Sequence, residues 1–407
     1  MTIDSSVYAF VDDFVDAGPA QVAEDLAAKG FSAVSLATVY HASRDLLPHN
    51  PKRVVAHRSE GVHYFPPDES LYTGPLKPQP AEPTRFGEVT ETLVTAGLSW
   101  QAWTVYLHNC RLAIEYPEYA VANAFGDRYI TDLCPSSDVV AGYAENLTAD
   151  VARLRPSLIV AESLHHAGFG HGYHHERAFV GIDAVTEFLL SLCFCDGCAA
   201  MAGVDDVDAG AVAARVRGVV RSALADPANA TRPLDRAVLA ELCGEELLSY
   251  LKVRQATTTR LAGRCARVAR AAGVRFGFMD QTGALKGYVT GEPAGRSCAD
   301  DAWQLGIAPV DVARDVDAYV TLAYAKQAER VASDVGAYAT ALGEGIELRC
   351  VLRHGGPDYA DPENLEQKVQ AAVQKGASGV DFYHYGLMPI SGLAAASSAV
   401  RSVVRRV

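Results

Sequence analysis

Three cysteines, Cys193, Cys195 and Cys198, lie within six residues of one another. The C-x-C-x-x-C spacing predicts a tight turn in which three thiolates supply three corners of a tetrahedron, the geometry that Zn2+ prefers. A fourth ligand must come from elsewhere, and the sequence favours Cys134, with Cys110 second. Three buried cysteines without a metal are the alternative. Since four thiolates leave no open coordination position, we expect a structural Zn2+ rather than a catalytic one.

Two carboxylates each follow an apolar run and could perform acid and base chemistry. Glu162 follows the run LIVA, and Asp280 follows the run FGFM. A carboxyl group that emerges from an apolar wall has its charged form disfavoured, which raises its pKa and suits a general acid. Cleavage of a glycosidic bond needs one proton donor and one nucleophile or base. We therefore predict Glu162 as the proton donor and Asp280 as its partner.

Other polar and aromatic side chains stand near the ends of apolar runs. They could bind sugar hydroxyls, and an arginine could bind an anionic group, while flat rings could stack on sugar C–H faces. The predicted substrate-binding residues are Asp12, His41, Trp103, His108, Tyr324, Arg353, Tyr383 and His384. Each alone could be a hydrogen-bonding or packing residue, but convergence of the set on one rim would favour an active site.

A histidine-rich loop at residues 165–175 could bind a second metal or sugar hydroxyls. His171 and His175 have the i,i+4 spacing of helical metal ligands, but Gly170 and Gly172 argue against a helix there. A polar loop without ligands is the simpler interpretation.

Eight short apolar runs recur along the chain, each followed by a helical pattern. Several are apolar on both faces, which is typical of buried parallel strands. The runs are at residues 7–11, 32–37, 99–106, 157–164, 274–280, 317–324, 346–353 and 379–386. Eight such units predict an α/β fold of the (β/α)8, or TIM barrel, type. A doubly wound sheet is the alternative, but no G-x-G-x-x-G follows the first strand, and no organic cofactor is expected.

Long segments follow several predicted strands and must emerge at the C-terminal face of the barrel, where active sites of this fold lie. Residues 163–240 are predicted to be a loop and helical insertion that carries the cysteine motif. Residues 1–407 are predicted to form a single decorated barrel.

The composition excludes several classes of partner. The chain has 407 residues, with 36 Lys and Arg against 49 Asp and Glu, and a net charge of −13. Nucleic acids and anionic membranes bind basic surfaces, so neither is expected as a partner. No apolar run is long enough for a transmembrane helix, and no secretory signal is visible. Together with nine cysteines, an odd number, this favours a cytoplasmic protein with reduced thiols. A homo-oligomer is left open.

The order of motifs over residues 100–200 resembles the bacterial β-galactosidases of glycoside hydrolase family 42. A Cys-Pro segment at Cys134 is followed by a helix, by a strand ending in Glu162 and by the C-x-C-x-x-C motif. The resemblance implies a (β/α)8 barrel in which Glu162 is the acid/base and four cysteines hold zinc. Two departures stand against it. Ala161 replaces the Asn that precedes the family's Glu, and Arg353 stands where the family places its nucleophilic Glu.

The first functional hypothesis is a glycosidase that cleaves a small glycoside or oligosaccharide. The second is a metal-dependent sugar isomerase, epimerase or lyase, whose metal ligands would be His41, His108, Glu162, Asp280 and His384. The third is a catalytically inactive sugar-binding barrel, which the missing seventh-strand Glu favours.

Overall fold

Eight parallel strands form the centre of the computed structural model, which describes residues 3–80, 84–170, 177–226 and 232–404. The strands are β1 (Asp4–Ala9), β2 (Ala33–Tyr40), β3 (Ser99–Val105), β4 (Leu158–Glu162), β5 (Arg275–Asp280), β6 (Ala318–Leu322), β7 (Glu347–Arg353) and β8 (Gly379–Tyr383). Each strand pairs with the next, and β8 pairs with β1, so the sheet closes into a barrel. The predicted (β/α)8 fold is confirmed, and each predicted run overlaps one strand.

Helices alternate with the strands and also fill the longer loops. They are α1 (Val11–Ala17), α2 (Pro19–Ala28), α3 (Phe86–Thr95), α4 (Cys110–Glu115), α5 (Asp138–Ala152), α6 (Ala184–Ser191), α7 (Asp196–Val204), α8 (Ala209–Ala225), α9 (Arg236–Cys243), α10 (Glu245–Ala271), α11 (Thr282–Gly287), α12 (Cys298–Asp301), α13 (Pro309–Ala313), α14 (Ala328–Leu342), α15 (Pro362–Gln374) and α16 (Ile390–Val404). Within the described ranges, no single helix is long and apolar enough to cross a membrane, although the bent pair of α6 and α7 meets the criteria of length and composition.

Local sequence determines where α5 begins and where α10 ends. α5 begins after Ser137, whose side chain accepts a hydrogen bond from the N–H of Val140, as a helix N-cap does. α10 ends before Gly273, whose positive φ of 74° reverses the chain into β5. The two helices are joined by an ion pair between Arg264 and Glu145 at 2.7 Å.

Side chains of each strand alternate between the barrel interior and the helical layer. On β4, Leu158 and Val160 belong to the interior cluster, whereas Ile159 and Ala161 pack with the helices. The interior is rich in rings, contributed by Tyr8, Phe10, Tyr40, Trp103, Tyr324 and the partly buried Tyr383. The alternation therefore decides which residues at the strand ends face the mouth of the barrel.

A buried polar layer fills the barrel interior near the N-terminal ends of the strands. Arg349 donates to both carboxylate oxygens of Asp381 at 2.6 and 2.8 Å. The Ser6 hydroxyl donates to Asp381 at 2.7 Å and lies 2.8 Å from the hydroxyl of Ser35, which donates to Gln101. Hydrogen bonds thus link all five residues, and the layer closes the end of the barrel opposite the mouth.

A second apolar cluster lies outside the barrel core and surrounds the cysteine motif. It is built from α6, α7, α8, α9 and the first turns of α10. The first four of these helices lie almost entirely within residues 163–240, where the sequence predicted a helical insertion. That residues 1–407 act as one decorated barrel stays a prediction.

Candidate active site

Glu162, the last residue of β4, follows the interior-facing residues of that strand into the barrel mouth. Its Oε1 accepts a hydrogen bond from Nε2 of Gln281 at 3.0 Å, and its Oε2 accepts one from the indole N–H of Trp103. Burial raises the pKa of the Glu162 carboxyl, although the Trp103 hydrogen bond and the nearby His108 act in the opposite direction. A raised pKa favours the protonated form that a general acid needs.

Aromatic rings surround this carboxyl. The ring of Trp103 lies 5.1 Å from that of Tyr8, 4.6 Å from that of Tyr40 and 5.8 Å from that of Tyr383, each in an edge arrangement. The hydroxyls of Tyr40 and Tyr383 are 3.4 Å apart. The structure therefore brings two predicted substrate-binding residues, Trp103 and Tyr383, together beside Glu162, on a surface suited to sugar C–H faces.

Two predicted histidines lie next to each other on the β2–β3 side. The rings of His41 and His108 are 4.8 Å apart, and His41 stacks on Tyr40 at 4.1 Å. Nδ1 of His108 lies 3.2 Å from Oδ1 of Asp132. Burial lowers the pKa of His108, but the carboxylates of Asp132, Glu60 and Glu162 together raise it above its ordinary value. His108 is thereby oriented and kept cationic more readily than a free imidazole.

Arg58 is a mouth residue that the sequence analysis missed. It ends the short strand Val55–Arg58, and its guanidinium lies 3.3 Å from the centre of the Phe10 ring. It donates to Asp12 at 3.0 Å and to Asp45 at 2.5 Å, while its Nη2 has no hydrogen-bond partner within the described ranges. The predicted residue Asp12 is thus held at the mouth by an arginine that has a donor to spare.

His384 follows β8 and is fully buried beside Phe10, with the ring centres 4.7 Å apart. Its Nδ1 accepts a hydrogen bond from the N–H of Gly386, which leaves the proton on Nε2. Nδ1 also lies 3.9 Å from Oδ2 of Asp13, whose pKa burial raises to about 8. Gly386 is required because a Cβ there would lie 2.0 Å from Oδ1 of Asp13.

We expect Asp13→Asn to remove one component of the pH dependence of the unfolding free energy, the component that falls as the pH rises. The pKa of Asp13 is about 8 in the folded protein, against an ordinary value of 3.8. Between these values the unfolded chain loses a proton that the folded protein keeps, so the contribution of Asp13 to the unfolding free energy falls as the pH rises. Asn cannot ionise and lacks this effect. Urea unfolding at several pH values from roughly 5 to 8 measures the slope, and the same slope in the variant and the wild type would contradict the assignment.

Arg353 and Tyr324 form a packed pair at the ends of β6 and β7. The guanidinium carbon lies 4.2 Å from the centre of the Tyr324 ring. Nε of Arg353 donates to Asp358 at 2.5 Å, and its other two nitrogens donate to the carbonyls of Gly287 and Tyr288. All three nitrogens are therefore committed to the protein. These contacts give Arg353 a structural role, and its prediction as a substrate-binding residue stays a prediction.

Asp280 lies on the helical side of β5, the side on which Phe276 and Phe278 pack. Its Oδ1 accepts hydrogen bonds from the N–H and hydroxyl of Thr282, and its Oδ2 accepts from Tyr319 at 2.6 Å and Tyr338 at 2.8 Å. Tyr338 belongs to α14, outside the barrel. The alternation along β5 thus turns Asp280 away from the mouth, and these contacts do not favour the prediction that it is the partner of Glu162.

The residue after it, Gln281, reaches Glu162 instead and was missed. Gln281 Oε1 accepts a hydrogen bond from the Ser163 hydroxyl at 3.0 Å, so the amide is oriented with its N–H groups toward the carboxylate. The signal was available in the sequence. Gly277 and Met279 alternate with the outward-facing phenylalanines, and the same step of two leads from Met279 to Gln281.

The four predicted cysteine ligands converge. The sulfurs of Cys134, Cys193, Cys195 and Cys198 lie within 4.8 Å of one another, and all four residues are buried. Sγ of Cys134 is 3.7, 3.4 and 3.5 Å from the sulfurs of the other three, in chain order. A tetrahedral Zn2+ with Zn–S bonds of about 2.3 Å separates its sulfurs by about 3.8 Å. The donor set therefore fits a tetrahedral metal ion, and Cys134 rather than Cys110 completes it.

The backbone around this cluster is packed closely enough to exclude a larger residue. A Cβ at position 197 would lie 2.9 Å from the carbonyl oxygen of Ser136, so Gly197 allows the two cysteine-bearing loops to meet. The Cys198 sulfur also lies 3.2 Å from the Ser136 hydroxyl.

The alternative metal site is not formed. Among the described residues, the only group of three or more His, Cys, Asp or Glu side chains close enough to hold an ion is that of the four cysteines. The proposed ligands His41, His108, Glu162, Asp280 and His384 do not converge, since Asp280 faces the helices. His171, His174 and His175, the histidines of the predicted second metal or sugar site, lie outside the described residues.

The closed barrel with its polar mouth places the protein in the (β/α)8 fold class, and solved structures of that class resemble it. It is similar to a β-galactosidase from the haloarchaeon Halorubrum lacusprofundi, with a TM-score of 0.58 and 14% identity over 99% of this chain and 58% of that chain. It is also similar to a β-galactosidase from Marinomonas ef1, with a TM-score of 0.57 and 11% identity over 99% of this chain and 60% of that chain.

A third similar structure is an α-L-fucosidase from Paenibacillus thiaminolyticus, with a TM-score of 0.55 and 12% identity over 99% of this chain and 49% of that chain. The chain thus spans about half to three-fifths of the length of these proteins. No protein-family model and no curated protein sequence matches it. The similarity establishes a barrel fold that glycoside hydrolases also use.

Proposed function

We propose that the protein is a glycoside hydrolase that acts on a small glycoside or oligosaccharide, with Glu162 as the proton donor. The observation that carries the proposal is the position of Glu162, which ends a barrel strand among aromatic rings and has its pKa raised by burial. A protonated carboxyl in a ring-lined mouth is suited to protonate the oxygen of a departing sugar or aglycone.

The second carboxylate that we propose is Asp12 rather than Asp280. Asp12 is partly exposed and is paired with Arg58, whose guanidinium covers the Phe10 ring. The Phe10 ring in turn lies 5.5 Å from that of Trp103, the hydrogen-bond donor to Glu162. The rings of Phe10 and Trp103 thus lie between Asp12 and Glu162. A substrate bound at these rings would contact both carboxyl groups.

The test is hydrolysis of a panel of aryl glycosides by the full-length protein. Cleavage of at least one glycoside by the wild type, with strong loss in Glu162→Gln and in Asp12→Asn, would support the proposal. Arg44→Met is the matched control for surface changes nearby, since Arg44 is exposed on the neighbouring strand. Activity toward glycosides with poor leaving groups that survives unchanged in Glu162→Gln would exclude the proposed mechanism.

An inactive sugar-binding barrel is the second candidate, and one observation favours it. Arg353 occupies the end of β7 and is bonded to the protein through all three nitrogens, at the position where the resembling family carries its nucleophile. Sugar binding measured by calorimetry, without turnover of any glycoside in the panel, would favour this candidate over the hydrolase.

We also propose that the four-cysteine cluster holds a structural Zn2+ in a reducing, cytoplasmic setting. All nine cysteines fall among the described residues, and none forms a disulfide. Cys134, Cys193, Cys195 and Cys198 would hold the ion, which would tie the loop after β3 to the insertion and take no part in the reaction.

Replacing one cysteine of the cluster should remove the bound metal without abolishing glycoside hydrolysis. We expect Cys198→Ser to lose most of about one bound Zn2+ per chain and to lower the melting temperature by at least about 5 °C, because metal binding contributes to folding. Elemental analysis and calorimetry measure both quantities. Cys110→Ser is the matched control, since Cys110 is partly exposed and lies outside the cluster. Equal metal loss in both variants would contradict the proposed ligand set.

A further inference from the structure

Arg254, on α10, is a buried cation that has no hydrogen-bond or ion-pair partner among the described residues. The residue is 2% exposed, and its Nε, Nη1 and Nη2 atoms make no hydrogen bond within the part of the chain that the structure describes. No carboxylate in those ranges lies within ion-pair distance of it. Burying an unpaired guanidinium is strongly unfavourable, so a compensating negative charge must be present in the working protein.

The surroundings of Arg254 indicate where that charge lies. One turn earlier on the same face of α10, Tyr250 donates its hydroxyl to the carbonyl of Cys193 at 2.5 Å and stacks on Phe194 at 4.9 Å. The guanidinium carbon of Arg254 is 5.9 Å from the centre of the Phe188 ring. Both Tyr250 and Phe188 belong to the apolar cluster that contains the four cysteines. Arg254 therefore lies in the wall of the cysteine cluster.

The remaining titratable neighbour of Arg254 supplies no negative charge. His166 is buried beside it, since a Cβ at Gly306 would contact both side chains. Burial lowers the pKa of His166, which keeps its ring neutral. The interaction between Arg254 and the cysteines opposes the lowering of the Arg254 pKa by burial.

The charge of the cluster depends on its metal. Four protonated thiols carry no charge, whereas four thiolates around a divalent cation carry four negative charges and two positive ones, a net charge of −2. Burying this dianion in an apolar wall without a counter-charge would be costly. The positive charge of Arg254 would therefore compensate part of the negative charge of the metal-loaded cluster.

We propose that Arg254 is the counter-charge of the metal-loaded four-thiolate cluster and raises its affinity for the metal. This inference rests on the proposed metal site. It predicts opposite effects on the two forms of the protein. Arg254 stabilises the form that holds a metal and destabilises the form that holds none. A residue with only a packing role would change both forms in the same direction.

The experiment compares Arg254→Met with the wild type, each prepared with and without Zn2+ under reducing conditions. We expect the dissociation constant for Zn2+, measured by competition with a chromophoric chelator, to rise at least about 10-fold in the variant. We expect the metal-free variant to melt at a higher temperature than the metal-free wild type. Arg254→Lys, which keeps the charge, should retain most of the affinity. Arg267→Met, at an exposed position of the same helix, should change neither quantity.

Three results would overturn the proposal, and each would have a different meaning. Unchanged Zn2+ affinity in Arg254→Met would exclude the counter-charge role while leaving the metal site standing. A metal-free variant less stable than the metal-free wild type would show a packing role instead. A reduced wild-type protein that binds no Zn2+ would overturn the metal site and this inference together. Should Arg254→Met not fold, Arg254→Gln removes the same charge with a polar side chain and decides between these results.

Discussion

Glu162→Gln is expected to lower kcat/KM about 10²- to 10⁴-fold toward glycosides with poor leaving groups. Gln keeps the shape of the side chain and can still accept the hydrogen bond from Trp103, but it has no acidic proton to give. The loss should be much smaller for a nitrophenyl glycoside, because a good leaving group departs without protonation. Kinetics on a series of aryl glycosides of graded leaving-group acidity measures this dependence.

The pH profile gives an independent check on the same residue. Because burial raises the pKa of Glu162 and the acid must be protonated, wild-type kcat/KM should fall as the pH rises through that pKa. This limb of the profile should be absent in Glu162→Gln. An equal loss for good and poor leaving groups, with the alkaline limb unchanged, would exclude Glu162 as the proton donor.

Asp280→Asn should have the reverse effect, with a large loss of stability and little loss of activity. The Asp280 carboxylate accepts four hydrogen bonds, including those from Tyr319 and Tyr338. Asn offers one acceptor oxygen and turns a donating NH2 group toward the remaining hydroxyls. We expect a loss of roughly 3 kcal/mol of unfolding free energy, measured by urea denaturation, and kcat within about 3-fold of the wild type for the folded protein.

Tyr338→Phe is the matched control for this variant, because it removes one of the four hydrogen bonds and leaves the carboxylate in place. Its loss of stability should be clearly smaller, about 1 kcal/mol. An Asp280→Asn protein that is as stable as the wild type but inactive would restore Asp280 to the reaction and refute its assignment to the helical side of β5.

The barrel could be predicted from the sequence because its signal is local and repeated. Each strand is a short apolar run followed by a helix, and the eight runs suffice to name the fold. The rule that catalytic residues stand at strand ends then led to Glu162. The same rule also led to Asp280, because it ignores the alternation of faces. Neighbouring residues at the end of β5 face opposite sides. Asp280 faces the helices, whereas Gln281 faces the mouth and contacts Glu162.

The contacts of the arginines could not be predicted, because they depend on the paths of long loops. Arg58 reaches the Phe10 ring from a hairpin within the segment that follows β2. Nothing in its neighbourhood in the sequence distinguishes it from the exposed Arg53. Arg353 occupies the expected place, but its partner Asp358 and the carbonyls it bonds are set by two loops that meet only in the fold.

The cysteine cluster lies between these cases. Its three-residue motif is local and was evident, and Cys134 was preferred over Cys110 for the fourth position. The counter-charge was not evident, because Arg254 stands in a helix that reads as an ordinary amphipathic segment. A charge on a buried face of such a helix gains meaning only when its neighbours in space are known.

The pairing of β8 with β1 determines when the barrel can close during synthesis of the chain. The edge of Asp4–Ala9 that faces away from β2 finds its partner only in Gly379–Tyr383. A ribosome must therefore synthesise the chain as far as β8 before the first strand is sealed, and until then the nascent barrel presents two open edges. Fragments that end before Tyr383 should be far more dependent on chaperones than the full chain. The last helix, whose Ser397 bonds the carbonyl of Lys29, then fastens the closed ring.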